Sequence, residues 1–165
     1  MSDNPVVPGV PRPDAESTRV VQEAVGRLSD RVPELGVYFY RHLFAMIPEV
    51  RPMFPDNMAD QRLRLVRALL NAVYAIGDPV RAEVELQRLG EIHYYRGVRE
   101  DQYQYVPHAL LRALRDLSPG EFSTWQSSAW ISVYSWMTAH MVAGARRAQL
   151  REEPRTPGAG PLPVR

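Results

Sequence analysis

Apolar residues recur with a 3.6-residue period between positions 20 and 141, interrupted only at corners marked by proline or glycine. Runs of alternating β-branched residues closed by hairpin turns do not occur, so the sequence predicts an all-α fold. A first helix is expected over 14–28, with Val20, Val21, Ala24 and Leu28 on one face, and a second over 31–46. Residues 48–54 read as a short helical turn bounded by prolines. The next helix starts at Asn57 or Asp60 and reaches about position 76, with Leu65, Val66, Leu69, Leu70 and Val73 as its stripe. Gly77-Asp78-Pro79 combines a terminating glycine, a capping aspartate and a first-turn proline. It opens a helix that reaches His93, with Val80, Val84, Leu86 and Leu89 as apolar positions, and Gly97 breaks it. Another helix is expected from Asp101. The last runs from 121 to about 150, with Trp125, Ala129, Trp130, Val133, Tyr134, Met137 and Met141 as apolar positions. Seven or eight helices with short connections in a chain of 165 residues make one domain.

Residues 1–13 and 151–165 each carry four prolines and little periodicity, and read as disordered tails around a domain at 14–150. No basic flank precedes an apolar run at the N-terminus, so no secretory signal is expected and the cytoplasm is the expected compartment. A formal net charge of +1 argues against a nucleic-acid partner held by many phosphate contacts. The lack of cysteine excludes disulfides, thiolate metal sites and a cysteine nucleophile. All 20 basic residues are Arg, which excludes lysine Schiff-base chemistry and a Walker-type phosphate loop. Residues 122–145 carry no charge. Their Ser, Thr, Gln and His side chains would be expensive in hydrocarbon, so the stretch reads as a buried helix, not a membrane span.

The histidines are His42, His93, His108 and His140, and no two stand at a local metal-ligand spacing. No G-x-S-x-G elbow accompanies them. His93 shares a helical face with Leu86 and Leu89 just before the glycine break. Taken alone, a histidine there is more often a core or boundary residue than a ligand. Tyr40 alone reads as a core tyrosine with its hydroxyl at the surface, Gln61 as an exposed helix-start residue and Phe54 as core. His42 and His108 read as solvated, and His140 as a hydrogen-bonded boundary histidine.

In order along residues 39–134 stand FYRHLF, IPEVRPMF, ADQRLRLVRALL, RLGEIHYYRGVREDQYQYV, HALLRAL, SPG and AWISVY. This series resembles the globin domain of flavohaemoglobins and of bacterial single-domain haemoglobins. The resemblance implies a globin fold around one haem b, iron protoporphyrin IX, with His93 as the proximal iron ligand. It implies Phe54 as the aromatic against the porphyrin, Tyr40 and Gln61 as the distal pair, and Leu65 as the aliphatic residue over the ligand. Val98 then lies at the haem edge and Tyr103 beside the proximal histidine, with Leu69 and Leu89 in the apolar lining. Trp130 and Tyr134 remain core residues. A Tyr hydroxyl or Gln amide can donate a hydrogen bond to iron-bound O2, which draws electron density from the metal. Such a charge-assisted bond contributes about 1.5–3 kcal/mol, roughly tenfold to a hundredfold in affinity.

Three positions depart from the family pattern. Ala145 stands where a glutamate usually helps the proximal-side tyrosine to polarise the ligating histidine, so weaker oxygen activation is expected. Ile92 replaces a lysine that lies near the reductase domain in flavohaemoglobins, and Pro107 replaces a common glycine. The resemblance implies two uses of one pocket. The first is an enzyme, a nitric oxide dioxygenase that turns O2 and NO into nitrate with electrons from a flavin reductase. The second is a binding protein for O2, with NO and CO as further ligands, serving carriage, delivery or sensing. A helical interaction module without haem is a third reading. A homodimer through the His93 helix and the last helix is a further implication.

Overall fold

Local chemistry sets the helix ends. The computed structural model describes residues 7, 9–28, 30–118, 120 and 122–152. Asp14 caps α1 (Ala15–Arg27), its Oδ1 accepting the Ser17 N–H at 2.6 Å. Helix α2 (Val32–Met46) runs into a 3₁₀ turn (Pro48–Met53), and α3 (Ala59–Ala75) follows. Asp78 caps α4 (Pro79–Tyr95) by accepting the Arg81 N–H at 3.3 Å, with proline in the first turn. Gly97, at φ 82°, takes the chain out of α4, and the Val98 N–H turns back to the His93 carbonyl at 3.0 Å. A second 3₁₀ turn (Glu100–Gln102), α5 (Tyr105–Leu117) and α6 (Thr124–Glu152) complete the order. Among the described residues there is no strand, and no helix is long and apolar enough to cross a membrane.

Two helix starts differ from expectation. Residues 100–102 form the 3₁₀ turn because the Gln102 side chain accepts the Arg99 N–H at 2.9 Å, so α5 opens only at Tyr105. Helix α6 opens at Thr124, where Ser123 and Gln126 cap each other's backbone N–H at 2.8 and 3.2 Å. It continues through Glu152, whose Oε2 accepts the Tyr94 hydroxyl at 3.0 Å. Residues 151 and 152 are therefore helix, not tail. Residues 1–6, 8 and 153–165 of the expected tails lie outside the described residues.

Trp130, Trp136, Leu114, Leu117, Val73 and Val133 fill the centre of the core. Helices α4 and α6 meet backbone to backbone. A Cβ added to Gly90 would fall 1.8 Å from the Met141 carbonyl oxygen, and one added to Gly144 would fall 1.8 Å from that of Gln87. The two backbones thus touch through glycine on each side. This approach decides which face of α4 turns inward. Ala82, Glu83, Leu86, Gln87 and Gly90 are buried. Val80 and Val84, expected as apolar positions, are 56% and 53% exposed. Trp125, expected on the apolar face of the last helix, is half exposed in the first turn of α6.

Gly90→Ala and Gly144→Ala are each expected to lower the unfolding free energy by about 1–3 kcal/mol or more, read by urea denaturation. Gly26→Ala, on an open face of α1 with nothing within 4 Å of the added Cβ, is expected to raise it by about 0.4–1 kcal/mol.

Candidate haem site

Tyr40 points inward from α2 and is 4% exposed. Its ring packs edge-on against Phe39 and Phe54, with centroids 5.1 and 5.3 Å away, and Phe44 lies 5.4 Å from Phe54. Phe54 reaches this cluster from the end of the first 3₁₀ turn. Arg51 fixes that corner by donating Nη1 to the carbonyls of Phe54 and Pro55 at 3.1 and 3.2 Å. Gln61 stands in the first turn of α3 and donates Nε2 to the Tyr40 hydroxyl oxygen at 3.1 Å. The helices come close enough for this because Gly36 lies one turn before Tyr40. A Cβ there would meet the Arg62 Cβ at 2.9 Å. Leu65 and Leu69 follow Gln61 at four-residue steps on one face of α3, the first partly buried and the second buried.

His93 stands in the last turns of α4, one turn after Leu89, and both are partly buried. Its Nδ1 is buried and has no hydrogen-bond partner among the described residues. The Tyr103 ring lies 6.0 Å from the imidazole, centroid to centroid. The Tyr103 hydroxyl is also buried and has no partner among the described residues. Val98 is partly buried beyond the glycine break. Burial, helped by the Arg96 guanidinium, holds the proton affinity of His93 below that of an ordinary histidine. Its ring is therefore neutral at neutral pH, the form that binds a metal. Burial, with Glu100 adding to it, pushes the Tyr103 phenol up to about 12. Burial also raises Tyr40, and the Gln61 hydrogen bond only partly offsets it. Both phenols thus keep their protons. Ala145 is buried on α6.

The residues singled out from the sequence fall into two groups. Tyr40, Phe54, Gln61, Leu65 and Leu69 gather on α2, the corner after it and α3. Leu89, His93, Val98 and Tyr103 gather on α4 and the segment after it. Among the described residues no hydrogen bond or ring contact joins the groups. A surface cleft of about 300 Å³, lined by Val25, Val32, Pro33, Leu70 and Tyr74, contains none of them. The donor set fits a haem: a neutral imidazole on one helix, half-buried aliphatic side chains beside it, and a protonated hydroxyl among aromatic rings. Tyr40 is a buried tyrosine with its hydroxyl bonded to Gln61, so the surface-hydroxyl reading does not hold. His108 is exposed as expected, but His42 is half-buried and bonds the Asp116 Oδ2 at 2.7 Å.

Sequence reasoning missed the buried polar residues behind α4. Glu83 and Gln87 are buried there, and the buried His140 on α6 lies 3.2 Å from Gln87, Nδ1 to Nε2. A signal was present: positions 83, 87 and 90 follow the four-then-three step of one helical face, and the last is a glycine inside a helix.

Residues 37–141 match the family model described as Globin. A flavohemoprotein of Vibrio cholerae is 28% identical over 127 residues, covering 74% of this chain and 32% of that protein. The chain thus spans about a third of the length of that relative. A bacterial globin of Campylobacter jejuni superposes with a TM-score of 0.72 at 22% identity, over 82% of this chain and 99% of the other. A flavohemoglobin of Malassezia yamatoensis, with bound FAD and heme, superposes with a TM-score of 0.70 at 17% identity, over 84% of this chain and 38% of the other. These superpositions show the shared helical fold, while the family model, which matches well over half of the sequence, shows that the chain belongs to the globin family.

Proposed function

We propose that the chain binds one haem b with His93 as iron ligand and holds a diatomic gas with Tyr40 and Gln61. We assign it nitric oxide dioxygenase activity, with electrons drawn from a flavin reductase. The observation that carries this reading is the hydrogen bond from Gln61 Nε2 to the Tyr40 hydroxyl. When bound, haem iron supplies the gas-binding position and the redox chemistry by which NO, O2 and one electron become nitrate.

The side chains of this protein do the rest. Because the Tyr40 oxygen accepts from Gln61, its own proton is left to donate toward a gas. Accepting one hydrogen bond also polarises the O–H and strengthens the one it donates. Burial keeps that proton on the phenol. Phe39 and Phe54 by edge contacts, and Phe44 by a tilted one, fix the ring and surround it with apolar surface. On the other side, a neutral His93 ring is ready to donate a nitrogen lone pair. With Ala145 in place of an acceptor, that ring carries less imidazolate character and pushes less electron density toward a metal. The same observation favours a second reading, reversible binding of O2 without turnover.

His93→Ala is expected to abolish the Soret band of the haem-loaded protein or to change its ferrous and CO-bound spectra. Unchanged spectra would remove the ligand assignment. Tyr40→Phe with Gln61→Leu is expected to speed O2 release by roughly tenfold to a hundredfold in stopped flow. A low-frequency iron–histidine stretch is expected in resonance Raman spectra of the ferrous protein, and a high one would show that His93 finds an acceptor. With a flavin reductase present, nitrate should form from NO and O2 far faster than with the haem protein alone. If the reductase brings no acceleration, the binding reading stands and the enzyme reading falls.

A further inference from the structure

A buried polar chain lies on the side of α4 that faces α6. Arg12, from the N-terminal segment, forms a two-point pair with Glu83 of α4: Nε to Oε1 at 2.7 Å and Nη2 to Oε2 at 3.1 Å. The carboxylate of Glu83 is almost fully buried, whereas Arg12 is half exposed. The same Oε1 lies 3.8 Å from Nε2 of His140, whose ring is also almost fully buried. His140 Nδ1 is 3.2 Å from Gln87 Nε2. Gln87 Oε1 accepts from Arg147 Nη2, and Arg147 also lies 3.7 Å from Glu91. The Trp136 ring meets the imidazole edge-on at 5.2 Å.

The hydrogen-bond directions fix the state of His140. Because Arg147 donates to the amide oxygen of Gln87, the amide nitrogen turns toward His140 and donates. His140 Nδ1 therefore accepts, and its one proton sits on Nε2, on the Glu83 side. A second proton, on Nδ1, would set an N–H against an N–H. Gln87 would then have to turn its oxygen to His140 and give up Arg147.

We propose that Arg12 and His140 compete as counter-ions for the carboxylate of Glu83, so that seating the N-terminal segment on α4 is coupled to loss of a proton from His140. With Arg12 seated, the pair is complete and His140 is neutral. When Arg12 leaves, His140 takes a proton and becomes the cation beside Glu83, and the Gln87–Arg147 link opens. By linkage the coupling is reciprocal: acid releases the segment, and the seated segment resists protonation. The charged groups that face His140 agree with this. Burial and Arg12 hold its proton affinity down, and Glu83 opposes them. The unfolded chain then takes up this proton first as pH falls through about 6.5, so stability is lost on the acid side.

The test is an NMR titration of the full chain labelled with ¹⁵N-histidine, with the His140 signals assigned through His140→Asn. Arg12→Gln is expected to move the His140 midpoint upward, roughly tenfold in proton affinity, and Glu83→Gln to move it downward. A merely structural role for Arg12 would leave the midpoint in place, and that result would overturn the proposal. Limited proteolysis of the N-terminal segment gives a second reading. Cleavage should quicken in the wild type as pH falls from about 7.5 to about 5.5, after correction with a free peptide. It should not quicken in His140→Asn. A pH dependence that survives in His140→Asn would also sink the coupling.

Discussion

The structure depends on the contact between the backbones of α4 and α6. Gly90 and Gly144 let each helix press against the carbonyl of the other, at Met141 and Gln87. No side-chain contact could substitute, since even a methyl group at either position has no room. Once the helices are this close, their rotation about their own axes is fixed. That rotation turns Glu83 and Gln87 inward and leaves Val80 and Val84 in solvent, against their polarity. Burying polar groups is tolerable only if they are hydrogen-bonded. Arg12, His140 and Arg147 supply those bonds. The polar chain behind α4 is thus a consequence of the glycine contact.

The opposite side of the domain follows a similar rule on a smaller scale. Gly36 brings α2 against α3 at Arg62, one residue from Gln61 and one turn from Tyr40. The hydrogen bond between Tyr40 and Gln61 therefore rests on another close backbone approach. Three aromatic rings, Phe39, Phe44 and Phe54, then hold the tyrosine ring in place and need no polar partner to do so.

Much of this was legible in the sequence, and the reason is periodicity. The helices appear where the 3.6-residue pattern places them, and Asp14, Asp78, Pro79 and Gly97 mark their ends by simple capping chemistry. The ordered series of segments carried the family, and with it the residues of the candidate site. What sequence did not convey was orientation. An apolar stripe identifies a helix but does not say which side of it meets a neighbour when a glycine competes with the stripe. For that one reason Val80 and Val84 face solvent against expectation, and the burial of Glu83 and Gln87 carries no mark in the apolar stripe. Arg12 was hidden for another: a proline-rich segment has no period to read, and its role appears only through a partner 71 residues away.

The orientation of His93 shows how these parts combine. On an α-helix its Cα lies roughly 60° around the axis from that of Gly90. Turning α4 would therefore swing the imidazole directly. A histidine that ligates metal is commonly aimed by a hydrogen bond to its second ring nitrogen. If His93 is the iron ligand proposed above, its Nδ1 lacks such a bond: among the described residues it has no partner, and the nearby Tyr103 hydroxyl has none either. The aim of the ring must then come from packing: the seat of α4 on α6, the Tyr103 ring on one flank, and the carbonyl of His93 holding Val98 in place. In the haem site proposed above, Ala145 would leave the orientation of this ring to steric contacts. Such contacts would fix the ring without adding negative charge to it, while burial keeps it neutral.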